Sequence, residues 1–222
     1  MAVLYLFDID GTLLHSRSGR LAFDAVLAEL HGLAEASHGV AFGGKTDPLI
    51  IDEIFAAKLG RPASEAERAA FFEVYVPRLR AMLAEHGVQV IDGVTAALAE
   101  LARRDVVMGV ATGNVRAGAE AKLAAAGLGH WFAFGGYGCD SRVRAELVAR
   151  AIDRGRERAE VTEVVVVGDT VHDIAAARAC GARVCAVATG SDPADRLAHA
   201  DVVFASLAEL PAWHAARGWD GS

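Results

Sequence analysis

The segment Val3-Leu4-Tyr5-Leu6-Phe7-Asp8-Ile9-Asp10-Gly11-Thr12 constrains the chain more than any other. An apolar run that stops at two carboxylates spaced by one residue, with a turn glycine directly after, reads as a strand delivering its last residues to the carboxyl edge of a sheet. Open α/β folds bind ligands at that edge. Taken alone, the segment is equally a strand closed by a solvated Asp-Gly turn. The rest of the chain decides between the two.

From Gly93 onward short apolar strands alternate with helical patterns, the signature of parallel βαβ units. Helices are predicted at about 93–104, 115–125, 144–157 and 172–179, with a short one near 193–198. Strands are predicted at Val106–Ala111, Ala133-Phe134, Val164–Val167, Arg183–Val187 and Val202–Phe204. The segment beyond about Trp213 is expected to fray. Residues from about 15 to 88 read as all helix. One helix spans Leu21–Leu30, and a second runs from Asp47 to Lys58, capped by Thr46 or Asp47 with Pro48 in its first turn. A third starts at Ser64 with a Ser-Glu-Ala-Glu capping box and continues to Glu85, where Pro77 should bend or break it. Because the first strand belongs with the later ones, this helical block is an insertion. The expected fold class is α/β: a doubly wound, mainly parallel sheet core (1–14 and 93–222) with an inserted α-helical domain (15–92).

A net charge of −7, with both signs mixed along the chain, gives no electrostatic footprint for nucleic acid and favours a small diffusible substrate. Cys139, Cys180 and Cys185 have no Cys-x-x-Cys spacing and read as reduced structural thiols. The N-terminal apolar run is interrupted by Asp8 and has no basic leader, so neither a signal peptide nor a membrane span is expected, and the expected compartment is the cytoplasm. Oligomeric state leaves no trace in the sequence.

Three strands end in chemistry: Asp8-x-Asp10-Gly11-Thr12, Thr112-Gly113-Asn114 and Gly168-Asp169-x-x-x-Asp173. In a parallel sheet these ends fall on one side, where two carboxylate clusters and a hydroxyl-glycine turn at a helix N-terminus suit a phosphate held with Mg²⁺. In this order, and with a basic residue ahead of the helix at 144–157, the motifs resemble those of the haloacid dehalogenase superfamily phosphatases with an α-helical cap. The inserted helices match the place of that cap, and a phosphoglycolate-phosphatase-like activity is the nearest expectation.

The resemblance implies a role for each position, and physical chemistry supports it. Asp8 is the expected nucleophile, since a carboxylate can attack phosphorus to give an aspartyl-phosphate that water hydrolyses. Asp8, the main-chain carbonyl of Asp10 and Asp169 are the expected Mg²⁺ ligands, all hard oxygens, with Asp173 supporting the metal or the basic residue from behind. Asp10 is the candidate general acid and base. Thr112, Gly113 and Asn114 offer a hydroxyl and two N–H groups to the phosphate, although Thr112 would serve equally as a helix cap. The family commonly carries a lysine as its basic residue, whereas this chain has Arg142-Val143-Arg144. Arg144 is the expected equivalent and Arg142 the alternative, leaving Arg142 to the surface. Phe42-Gly43-Gly44-Lys45 resembles the cap's substrate-specificity loop, with Lys45 either over the substrate or merely solvated. His15, His38, His86, His172 and His199 share no metal-ligand spacing.

The expected reaction is therefore hydrolysis of a small phosphorylated metabolite. A phosphomutase of the same superfamily would use the same residues. A dehalogenase would have no use for Asp10, and phosphonate-cleaving relatives resemble a pattern without it. A phospho-accepting signalling module would be about half this length.

Overall fold

The computed structural model describes residues 2–219. Strand β1 (Ala2–Phe7) runs through a six-stranded sheet. Its side chains Val3, Tyr5 and Phe7 enter one buried cluster, while Leu4 and Leu6 enter another, so the strand has no solvent face. Burial on both faces explains why the run is apolar without alternation.

After β1 the chain forms β2 (Leu14–His15), α1 (Ser18–His31), α2 (Asp47–Leu59), α3 (Glu65–His86) and β3 (Gln89–Val90), and β3 returns antiparallel to β2. There follow α4 (Val94–Leu101), β4 (Val106–Ala111), α5 (Arg116–Ala125), β5 (Gly135–Gly136), α6 (Arg144–Arg156), β6 (Val161–Gly168), α7 (Val171–Ala179), β7 (Arg183–Val187), β8 (Val202–Phe204) and α8 (Leu210–Ala215). The strand order is β5-β4-β1-β6-β7-β8, with every pairing parallel. The chain winds out from β1 through β4 to β5, then crosses back to β6. This reversal opens a crevice at the carboxyl ends of β4, β1 and β6. Phe7 lies opposite both Val110 and Val167, so the residues that follow each strand emerge together at that edge.

Helices α4, α5 and α8 cover one face with Leu98, Leu101, Leu123 and Leu210, and α6 and α7 cover the other with Leu147, Ile152 and Ile174. Each large side chain so buried contributes about 1.5–3 kcal/mol. A third cluster, built on Phe23, Ile51, Phe55, Phe71, Tyr75 and Leu79, binds α1, α2 and α3 to one another and reaches α5 at Val115 and Ala121. The α/β core with helices inserted after its first strand is thus as the sequence predicts.

Some expectations are corrected. Helix α3 runs unbroken through Pro77. Pro77 is exposed, so the carbonyl its missing N–H leaves unpaired can turn to water. Strand β5 falls on Gly135–Gly136, two residues past the apolar pair expected to form it, because only residues without Cβ fit there: a Cβ on Gly136 would collide with the Leu147 carbonyl. Residues 193–198 form turns with Arg196 N–H to Pro193 and Leu197 N–H to Ala194 bonds, not a helix. Helix α8 extends past Trp213, whose ring meets Trp219 at 5.4 Å, so the expected fraying is not seen up to Trp219; residues 220–222 lie outside the described residues. Among the described residues the cysteines are free, and no helix is long and apolar enough to cross a membrane.

Candidate active site

Asp8, the first residue beyond β1, is fixed by its own N–H, which donates to the Val167 carbonyl at 2.8 Å. Its carboxylate is buried and pairs with Arg144 at 2.9 Å. Asp169, the first residue beyond β6, accepts from the Thr12 hydroxyl at 3.2 Å and from the Ser191 N–H at 2.8 Å. Asp173 sits in the first turn of α7, where it and Thr170 form a capping box. One Asp173 oxygen accepts from the Thr170 N–H and hydroxyl at 3.0 and 2.6 Å; the other accepts from Arg144 Nε at 2.9 Å and Nη2 at 2.5 Å. Oxygens of Asp8, Asp169 and Asp173 lie within 4.8 Å of one another. Gly11 makes this approach possible: its φ is +86°, and a Cβ there would stand 2.6 Å from an Asp169 oxygen.

Three buried carboxylates face one guanidinium. Burial pushes Asp8 up to about 7, Arg144 pulls it back, and Asp173 and Asp10 raise it further. Asp169 is pushed up to about 8, by burial first and then by Asp8 and Asp173. The cluster is short of positive charge and offers only hard oxygen donors, and these are the terms on which a divalent cation such as Mg²⁺ is held.

Asp10 belongs to a second group. Its carboxylate turns toward α5, where Lys122 Nζ donates to its two oxygens at 2.8 and 2.7 Å and Asn114 Nδ2 donates to Oδ2 at 2.7 Å. Lys122 also donates to Asn114 Oδ1 at 2.7 Å, and Asn114 Nδ2 donates to Thr112 Oγ1 at 2.8 Å. Asp47 joins from the inserted helices. Its N–H donates to the Gly113 carbonyl and its carboxylate accepts from the Val115 N–H, both at 2.8 Å. Burial pushes Asp47 up to about 7 against the pull of Lys122. These bonds dock the start of α2 on the Thr112-Gly113-Asn114 turn so closely that a Cβ on Gly113 would overlap the Lys45 carbonyl. The expected side-chain cap of α2 is not made, since the Thr46 hydroxyl donates to the Arg142 carbonyl at 3.4 Å instead.

Between the helices and the sheet edge lies a cavity of about 470 Å³ lined by Asp8, Asp10, Lys45, Thr112, Asn114 and Arg144, among others. Of the residues singled out in the sequence, Asp8, Asp10, Lys45, Thr112, Gly113, Asn114 and Arg144 line this cavity, while Asp169 and Asp173 stand behind Asp8. Of the two arginines it is Arg144 that reaches Asp8, while Nη1 of the same side chain donates to the Gly44 carbonyl of the insert at 3.3 Å. Arg142 stays at the surface, its side chain 52% exposed, and there bonds Asp52 of α2 at 2.9 Å, tying the insert to the core. Lys45 lines the cavity, but its ammonium is paired with Glu53 at 2.5 Å. Asp10 contributes its carboxylate to Lys122, not to the acidic cluster. Lys122 has no role in the sequence analysis, and Asp47 has only that of a possible helix cap. The signal for Lys122 was present: Val115, Ala119 and Lys122 recur at helical spacing, which puts a lysine on the buried stripe of α5.

The parallel sheet with its switch point, the acidic cluster at its edge and the glycine turn beside it are the arrangement of an α/β enzyme, and the comparisons with known proteins make it a hydrolase. Residues 3–181 match the haloacid dehalogenase-like hydrolase family, and the chain belongs to that family. It is 32% identical to a phosphoglycolate phosphatase of Rhodospirillum rubrum over 221 residues, covering 94% of this chain and 89% of that protein. It is 29% identical to a probable phosphatase, IndB, of Dickeya dadantii, covering 90% and 87%. Among solved structures it resembles CbbY from Rhodobacter sphaeroides in complex with phosphate, with a TM-score of 0.69 and 24% identity over 95% of this chain and 96% of that one. It also resembles a haloacid dehalogenase-like family protein from Streptococcus pneumoniae, with a TM-score of 0.68 and 17% identity over 96% and 98%. The chain is a phosphatase of this family.

Proposed function

We propose that the chain hydrolyses a small phosphate monoester by way of an aspartyl-phosphate on Asp8, with Mg²⁺ as its metal and phosphoglycolate or a similarly small ester as substrate. The observation that carries this reading is the buried Asp8–Asp169–Asp173 cluster, faced by one guanidinium at the carboxyl edge of β1 and β6. Asp8, Asp169 and the main-chain carbonyl of Asp10 would hold the metal, with Asp173 held behind by Thr170 and Arg144. When bound, Mg²⁺ supplies the positive charge that lets a carboxylate and a phosphoryl group approach each other.

The chain's own groups do the rest. An Asp8 oxygen attacks phosphorus, the bond from phosphorus to the ester oxygen breaks, and Asp10 gives that oxygen a proton. Water then attacks the phospho-aspartate, Asp10 takes its proton, and phosphate leaves. Arg144, the Thr112 hydroxyl and the N–H groups of the turn at the start of α5 stabilise the charge on the phosphoryl oxygens. The size of the cavity, about 470 Å³, favours metabolites over macromolecules. Free cysteines suit a reducing compartment, the cytoplasm.

The test is a panel of small phosphate monoesters assayed with Mg²⁺, together with rapid-quench mass spectrometry of the Asp10→Asn variant, in which the adduct should persist. Phosphate release and a phosphoryl group on Asp8 are expected. No release across the panel, or an adduct on another residue, overturns the reading.

A further inference from the structure

We infer that Lys122 is a positioning residue for Asp10: together with Asn114 it fixes the carboxylate that exchanges protons with the leaving and attacking oxygens. The inference rests on the role proposed for Asp10. Lysine is almost never fully buried unless paired, and Lys122 is 5% exposed. Its stem lies on the packed side of α5 beside Ala119 and Leu123, and its ammonium emerges against a residue 112 positions earlier in the chain.

All three ammonium protons are assigned. Two go to Asp10 Oδ1 and Oδ2 and the third to Asn114 Oδ1. The last bond has a consequence of its own. Because Asn114 Oδ1 is occupied by a cation, its amide must present Nδ2 to Asp10 Oδ2 and Thr112 Oγ1. Lys122 therefore orients the acid and, through Asn114, the hydroxyl beside it. Asp10 Oδ2 accepts two bonds while Oδ1 accepts one, so Oδ1 keeps the lone pair for substrate. Without these bonds Asp10, whose side chain is 40% exposed at a turn beyond β1, would be free to change rotamer. Gly19 in the first turn of α1 packs beside the ammonium, where a Cβ would lie 3.4 Å from Nζ, an ordinary contact.

The experiment compares kcat/KM, which reports the steps through phosphorylation of Asp8, on phosphoglycolate and on p-nitrophenyl phosphate, whose leaving group needs little proton transfer. Lys122→Met is expected to lose about 10²-fold more on the alkyl ester than on the aryl ester, the size of a catalytic group displaced by about an ångström. Asp10→Asn should show the same split, and Lys122→Met made in the Asp10→Asn background should add no further loss. A structural lysine would instead lower both esters equally and lower them again in that background, and either result overturns the inference. Should Lys122→Met fail to fold, Lys122→Gln, uncharged but still a donor, carries the same comparison. Absence of the split in Asp10→Asn itself is a different failure, that of the Asp10 assignment, and the role of Lys122 falls with it.

Discussion

Two groups of acids share the cleft and differ in how their charge is met. Asp8, Asp169 and Asp173 have Arg144 among them, and two of the three are held well above the usual carboxylate range. Asp10 and Asp47 share Lys122 and two neutral donors, the Asn114 amide and the Val115 N–H. The first group could hold a cation from outside the chain. The second is nearly complete within it, and it joins the sheet to the inserted helices. One group leaves its charge to be met by an incoming ligand, and the other meets it with the chain's own lysine, although both consist of aspartate.

The harshest way to break the comparison is Asp8→Asn. An amide is a poor nucleophile and a poorer cation ligand, so steady-state phosphate release should fall by on the order of 10⁴-fold or more. Chelation of divalent metal from the parent protein should have a comparable effect, restored on adding Mg²⁺, and the added metal should raise the melting temperature of the parent more than that of the variant. Measurable turnover by purified Asp8→Asn would end the nucleophile assignment.

Next comes the cation of the first group. Arg144→Ala should lose about 10²–10³-fold in kcat/KM, as expected for removing a preorganised donor to the phosphoryl group. Arg144→Lys should recover part of that, since the charge returns without the two-donor fork. Arg142→Ala, which cuts only the tie to Asp52, should lose a few-fold at most, and a larger loss at Arg142 would exchange the two assignments. Lys45→Ala is milder. Freed from Glu53, this lysine can meet only the part of a substrate that projects toward the insert. The variant should reorder kcat/KM among small phosphate esters by about tenfold while changing p-nitrophenyl phosphate less; an unchanged ranking would remove it from specificity.

The smallest effect concerns Asp47. Its folded value near 7 lies above the ordinary 3.8. Between those values the unfolded chain releases a proton that the folded chain keeps, so this group makes the protein less stable as pH rises through the window. Asp47→Asn keeps an oxygen for the Val115 N–H but cannot titrate. Its melting temperature should therefore change less between pH 5 and 8 than that of the parent, by a few degrees. An identical pH slope would mean that the burial of Asp47 costs nothing.

Asp8 and Asp169 were legible in the sequence because each follows a strand directly, and strand ends are where apolar runs stop; Asp173 was legible as the acid one helical turn after Asp169. Arg144 was legible as the charge preceding an amphipathic helix. Lys122 carried only the weak signal of its helical spacing from Val115 and Ala119, because it acts from the second turn of α5 across space, and a lone lysine among alanines looks like solvated surface until the stripe it occupies is seen to be buried. Strand β5 escaped for the opposite reason: Gly135 and Gly136 lack the side chains by which strands are recognised, and they are there because the Leu147 backbone leaves no room for any. Asp47 looked like a helix cap, a local role, and its actual partners in the Gly113–Val115 turn are set by tertiary packing.

The two-residue ladder between Leu14–His15 and Gln89–Val90 brings the inserted stretch out and back at one point. To the sheet, everything beyond that ladder is a loop already closed, whose length barely enters the entropy of pairing β1 with β4 and β6. The helices can lengthen, shorten or change composition over evolutionary time while Leu6 keeps its register with Gly109 and Val166. The insert's share of the cleft, Phe42 to Lys45 among it, can thus change without disturbing how the sheet assembles.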